Sequence, residues 1–132
     1  MIVAIAGDDE PLETTEVIEA RNILREVVRQ YDEDVDRFGV RSKQDGTDAS
    51  WVNQALRLFS INDQNQLAGV EAWVPTLQEA MYAAFSCTTP QMLRRVLIQV
   101  MAQTLAWVTD LDRREWVRMT NAHAYEREAI KE

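Results

Sequence analysis

Apolar residues recur at steps of three and four along residues 14–38. This spacing puts side chains on one face of a helix, so it predicts a first helix here. Glu16 and Glu19 lie in its first turns, where carboxylates favour the positive end of the helix dipole, and Gly39 suits the left-handed conformation that ends a helix. The predicted apolar face comprises Val17, Leu24, Val27, Val28, Tyr31, Val35 and Phe38.

A polar loop is predicted to separate the first helix from the second. Asp45-Gly46, within the polar residues 41–48, is a turn dipeptide. Residues 49–60 again have apolar side chains on one side and predict a second helix. The amide-rich residues 61–69 are less decided, and we interpret them as a loop with a short turn of helix.

Two further helices are predicted with a short link between them. Residues 72–85 form the third, with Pro75 in the first turn, where a missing N–H costs nothing. Thr89 and Pro90 suit the N-cap and the first position of the fourth helix, whose apolar periodicity runs to residue 111. Because the link is short, we expect helices 3 and 4 to pack antiparallel.

The length of 132 residues is that of one domain. With only 4 glycines and 3 prolines, the chain lacks the turn residues of a β-sandwich or barrel, so we expect an all-α bundle of four or five helices. Residues 1–12 are an N-terminal arm in this interpretation, open between strand, interface arm and disorder. Residues 115–132 are a helical tail that either extends the fourth helix or forms a separate one.

The net charge limits the classes of partner, and the cysteine count excludes an intrachain disulfide. A net charge of -8 argues against nucleic-acid binding, and it suits divalent cations, a basic protein partner or simply a solvated surface. The single cysteine, Cys87, forms no intrachain disulfide and is predicted to be a buried, inert thiol. No stretch approaches the ~20 apolar residues of a membrane span, so we expect a cytoplasmic protein without membrane contact.

Several side chains are candidates for chemistry, and each has a plainer alternative. Asp32 and Asp36 come together at helical spacing and suit a metal site or a solvated face. Arg94-Arg95 and Arg113-Arg114 suit phosphate contacts or ordinary helix-surface charges. The tryptophans at 51, 73, 107 and 116 are predicted to serve packing, and His123 is predicted to be exposed.

The motifs along residues 37–114 resemble the MazG-like nucleotide pyrophosphohydrolases, in the branch common in phages and actinobacteria. A polar loop with Asp45-Gly46-Thr47 comes first, and Trp73 opens the first motif helix. The motifs that follow are Leu77-Gln78-Glu79-Ala80, Leu93-Arg94-Arg95-Val96-Leu97 with Gln99, and Leu111-Asp112-Arg113-Arg114.

The resemblance implies helical oligomers that hold Mg²⁺ between two helices and cut a nucleoside triphosphate to a monophosphate and pyrophosphate. Glutamate and aspartate oxygens hold this hard cation. Of the three family glutamates on the first motif helix only Glu79 is retained, and the other two positions are Ala80 and Ala83. On the second motif helix the family acid falls at Val96, and Gln99 is retained as a nucleotide-contacting group or a buried structural amide.

The expectation is therefore a degenerate MazG-like protein that binds a nucleotide or another protein without catalysis, as a homodimer or a dimer of dimers. Arg94 and Arg95 are its other candidate nucleotide contacts. One alternative is an active Mg²⁺-dependent pyrophosphohydrolase whose acids have moved to Glu26, Asp32 or Asp36. Another is an acidic, phage-type inhibitor of a basic host protein, which would act in the host cytoplasm.

Overall fold

The structure is a computed structural model that describes residues 13–131. Within that range it contains four α-helices, one 3₁₀ turn and no strand, so the all-α prediction is confirmed. The predicted N-terminal arm, residues 1–12, lies outside the described residues. None of the described helices is long and apolar enough to cross a membrane.

Helix α1 spans Thr15–Phe38, within one residue of the predicted range. The Thr14 side chain accepts a hydrogen bond from the backbone N–H of Val17 (3.2 Å), which satisfies one of the free donors at the helix start. The helix ends at Gly39, whose φ of 74° is unfavourable for residues with a side chain. Both ends are thus set by local residues.

Helix α2 spans Val52–Ala68 and follows a 3₁₀ turn at Ala49–Trp51. The predicted end at residue 60 is wrong, because the helix continues through most of the amide-rich segment. It ends at Gly69, which adopts the left-handed conformation with φ 71°. Amide side chains tolerate a helix interior at small cost, and no glycine or proline interrupts them before that point.

Helix α3 spans Trp73–Phe85, and helix α4 spans Pro90–Lys131. Thr89 caps α4 by accepting from the backbone N–H of Met92 (3.3 Å), as predicted. The predicted tail continues α4 and does not form a separate helix. At ~1.5 Å per residue the 42 residues of α4 reach about 63 Å, well beyond the other helices.

Helix α3 lies at the centre of the packing. It contacts α2 on one side and α4 on the other, whereas α1 has contacts with α4 alone among the described helices. The buried apolar residues of the described chain are few, namely Ile23, Leu58, Ala84 and Cys87. The Cys87 thiol is buried as predicted and donates to the Ala83 carbonyl oxygen (3.3 Å).

Candidate functional site

Glu79, the glutamate that the MazG-like resemblance singles out, lies half-buried on α3 and faces α2. Asn62 of α2 donates one Nδ2 hydrogen bond to Glu79 Oε1 (3.1 Å) and another to the Pro75 carbonyl oxygen (3.0 Å). Both amide protons of Asn62 are therefore engaged. The Glu79 carboxylate acts as a structural acceptor between two helices.

The three positions at which the resemblance would place further acids carry no ligand atoms. Ala80, Ala83 and Val96 are half-buried rather than fully buried. Methyl groups there serve the packing of α3 and α4 and cannot coordinate a cation. Any Mg²⁺ at this place would have to rely on Glu79, which Asn62 already contacts.

Gln99, Arg94 and Arg95 are exposed on α4. Within the single described chain, Gln99 is thus not a buried amide. Neither Arg94 nor Arg95 forms an ion pair with another described residue, so their side chains are open to solvent or to a partner. The structure does not bring these three residues against Glu79 by any hydrogen bond.

Asp32 and Asp36 also lie exposed on α1. Among the described residues no three His, Cys, Asp or Glu side chains come close enough together to hold a metal ion. His123 is exposed and lies 3.8 Å from Glu126 on the tail. Nearby, a hydrogen bond from Arg118 holds the pKa of the exposed Glu115 below its ordinary value.

A cleft of about 520 Å³ opens between the start of α1 and the middle of α4. We call it the polar cleft because most of its lining residues are polar or charged, although the surface they expose into it is mainly carbon. Arg113 Nε lies 3.2 Å from Glu19 Oε2 and bridges the two helices across it. Glu26 and Asp112 also line the cleft, together with the largely exposed Trp116. Acidic, basic and aromatic groups thus meet here without forming a closed metal site.

An apolar groove lies beside this cleft, again between α1 and α4. Its volume is about 160 Å³, and its wall is almost entirely carbon. The side chains that line it include Leu24, Val27, Val100, Met101, Leu105 and Val108. In the cleft, the start of α1 faces residues 109–116 of α4. In the groove, residues 23–27 of α1 face residues 100–108 of α4, so the two helices run in opposite directions.

Most of the predicted apolar face of α1 is exposed in the single chain. Only Ile23, which was not on the predicted face, is buried on this helix. The reason is that, among the described helices, α1 contacts α4 alone. The exposed members are Val17, Leu24, Val27, Val28, Tyr31 and Phe38.

The tryptophans divide into packed and exposed ones. Trp73 stacks on Trp107 with ring centroids 6.3 Å apart, and its indole N–H donates to Asp110 (2.8 Å). Trp51 stacks on Tyr82 at 5.5 Å, which holds the 3₁₀ turn against α3. Packing is therefore confirmed for these three rings, whereas Trp116 is largely exposed.

Sequence reasoning missed Asn62 and the cleft residues Glu19, Asn22 and Asp112. Glu19, Asn22 and Glu26 are spaced by three and four residues, so their common face on α1 was readable. The sequence did not show that α4 approaches that face. Asn62 was hidden because its partners are 13 and 17 residues away in the chain.

Comparison with known proteins finds no relative of this chain. No protein-family model, no curated protein and no solved structure matches the chain.

Proposed function

We propose that this protein is a non-catalytic, MazG-like helical protein that acts by binding other protein surface. In this proposal α3 and α4 pack antiparallel, as in the expected bundle. The contact between Trp73, at the first position of α3, and Trp107, deep within α4, supports that arrangement.

The exposed apolar surface of α1 and α4 carries the proposal. Solvent-exposed apolar area of this extent is unfavourable in a free protein and marks interaction sites. Here it is continuous with a groove and lies on two long helices, which are rigid supports for binding. An apolar groove selects protein surface over a nucleotide, whose phosphates need polar or charged contacts.

The state of Glu79 favours a non-catalytic role. A Mg²⁺ ion bound to a triphosphate needs several oxygen ligands from the protein and the substrate. At the motif positions this chain offers one carboxylate, already bonded to Asn62, and three hydrocarbon side chains. Nucleotide binding through Gln99, Arg94 and Arg95 would have to use side chains that are all exposed on α4.

The test is a chromatographic assay of the eight common ribo- and deoxyribonucleoside triphosphates with Mg²⁺ or Mn²⁺. We expect no monophosphate or pyrophosphate above the uncatalysed background, because the motif positions lack carboxylates. Turnover that a chelator stops would contradict the proposed function.

The second candidate is a pyrophosphohydrolase with relocated acids, and the polar cleft is the observation that favours it. Glu26, one of the expected relocated acids, lines this cleft with Glu19 and Asp112. Under this candidate Glu26→Gln would abolish turnover while leaving helicity unchanged. Glu16→Gln is the matched control, since Glu16 is an exposed acid on the same helix that does not line the cleft. Asp32→Asn and Asp36→Asn test the other two positions.

A further inference from the structure

A second cleft, of about 360 Å³, lies at the end of α1. It shares no lining residue with the polar cleft or with the apolar groove. Helix α1 ends at Gly39 with φ 74°, and residues 40–43 then share this cleft with the last turns of the helix. We call it the basic cleft, and its lining residues are Tyr31, Asp34, Val35, Gly39, Val40, Arg41 and Lys43.

The basic cleft gathers positive charge in a chain whose net charge is -8. Arg41 and Lys43 line it, and Arg37 lies in the last turn of α1. All three side chains are exposed, and none of them forms an ion pair with another described residue. Because no carboxylate neutralises these cations, they attract an anion from solution.

The ring of Phe38 holds two of the cations in place. The guanidinium carbons of Arg37 and Arg41 each lie 5.1 Å from the ring centroid, so they are separated by no more than twice that distance. A guanidinium group on an aromatic face keeps its N–H edge free, and this edge matches two oxygens of a phosphate group. The two cations repel each other, and an anion between them offsets that repulsion.

Asp34 is the one carboxylate that lines the basic cleft, and its charge opposes an anion there. It is half-buried, and its Oδ1 accepts a hydrogen bond from Gln30 Nε2 (3.0 Å). The other acids of this part of α1, at positions 32, 33 and 36, do not line the cleft. The cations at this place therefore outnumber the acid that faces them.

We propose that the basic cleft binds a small phosphate monoester with an aromatic body. A phosphate monoester carries a charge of about -1.5 to -2 at pH 7 and accepts strong hydrogen bonds from guanidinium and ammonium groups. The cleft is larger than a phosphate group alone needs, and its volume lies within the range of about 300–1,000 Å³ that is typical of small-ligand sites. Tyr31 lines it and is 64% exposed, so its ring is available to pack against a second ring.

This site is separate from the chemistry that the MazG-like resemblance implies. None of its lining residues is a position at which the resemblance places a metal ligand or a nucleotide contact. The cations contact the phosphate directly, so the site needs no Mg²⁺ and cleaves no bond. It is also independent of the α1–α4 surface, and the inference therefore goes beyond the proposed function.

The experiment is a titration of the isotope-labelled full chain, followed by the NMR chemical shifts of its backbone amides. The probes are phenyl phosphate, glycerol phosphate and inorganic phosphate, each at about 0.05 M salt. We expect phenyl phosphate to shift the amides of residues 31–43 saturably, with a Kd of about 1 mM or lower. The other two probes should bind about threefold more weakly or worse, because they lack a ring to pack against Tyr31.

Three variants and one control locate the binding. Arg41→Gln and Lys43→Gln, both outside the helices, should each weaken phenyl phosphate about tenfold, because charge-assisted hydrogen bonds are lost. Asp34→Asn should tighten it by about twofold or more, because the opposing charge is removed. Arg57→Gln is the matched control and should leave the Kd unchanged. Arg57 is an exposed arginine on α2, outside the cleft and without an ion pair to a described residue.

Shifts that do not saturate by about 10 mM phenyl phosphate would overturn the proposal. Equal affinities of the wild-type chain and the Arg41→Gln variant, with helicity retained by circular dichroism, would overturn it as well. Equal binding of phenyl phosphate and inorganic phosphate would overturn the aromatic body assigned to the ligand. Shifts as large at Arg57 as in the cleft would show general screening of surface charge and would exclude a site.

Discussion

Replacing Leu58 with alanine is expected to lower the free energy of unfolding by about 2–5 kcal/mol. Leu58 is 3% exposed on the side of α2 that packs against α3, and it is one of the few large side chains buried within the chain. Truncation removes its apolar contacts and leaves a cavity that the helices close only in part. Urea unfolding followed by circular dichroism, at one fixed protein concentration, measures the change.

Leu56→Ala is the matched control for this prediction. It makes the same substitution on the same helix, at a side chain that is 61% exposed. Apart from the small change in helix propensity, this substitution is expected to change the free energy of unfolding by no more than about 0.5 kcal/mol. Equal losses for the two variants would mean that α2 presents a different face to α3.

Truncating Trp73 to alanine is expected to cost about 3–5 kcal/mol. The side chain joins the start of α3 to the middle of α4 by stacking on Trp107 and by the hydrogen bond to Asp110. Trp73→Phe keeps a ring at the same place but removes the donor, so it should cost only about 1–2 kcal/mol. Arg114, 3.4 Å from Asp110, partly compensates the lost contact.

Trp116→Ala is the control for the Trp73 variants, since its ring is 68% exposed. Its free energy of unfolding should lie within about 0.5 kcal/mol of the wild-type value under the same conditions. If Trp116→Ala were as damaging as Trp73→Ala, the tail of α4 would be packed in solution and the assignment of the groove would have to extend to it.

The two ends of α1 and the start of α4 were predictable because each depends on a few neighbouring residues. Thr14, Gly39 and Thr89 act at the positions where their side-chain oxygen or their backbone freedom is needed. The length of α2 was not predictable, because the amide-rich segment is neutral in propensity. Its helical state is held by contacts such as that from Asn62 to the start of α3.

The sequence predicted some of the residues of the candidate site, but it did not predict which of them come together in the structure. Periodicity shows that α1 has an apolar face, but it cannot show whether the cover for that face lies in the same chain. The resemblance pointed to Glu79, while the bond from Asn62 depends on how α2 and α3 meet. The cleft and the groove both arise from the approach of α1 to α4, which only the tertiary structure specifies.

Amide hydrogen exchange along α1 tests most directly whether the α1–α4 surface is covered in the working protein. Within residues 13–131 of one chain, α1 has a single neighbouring helix and one buried side chain, so these contacts alone should let it open easily. The homo-oligomer that the resemblance implies would cover this surface, so we predict that residues 20–35 exchange as slowly as the centre of α3 in the wild-type chain. Rapid exchange in α1 beside slow exchange in α3 would contradict the interaction surface proposed for this protein.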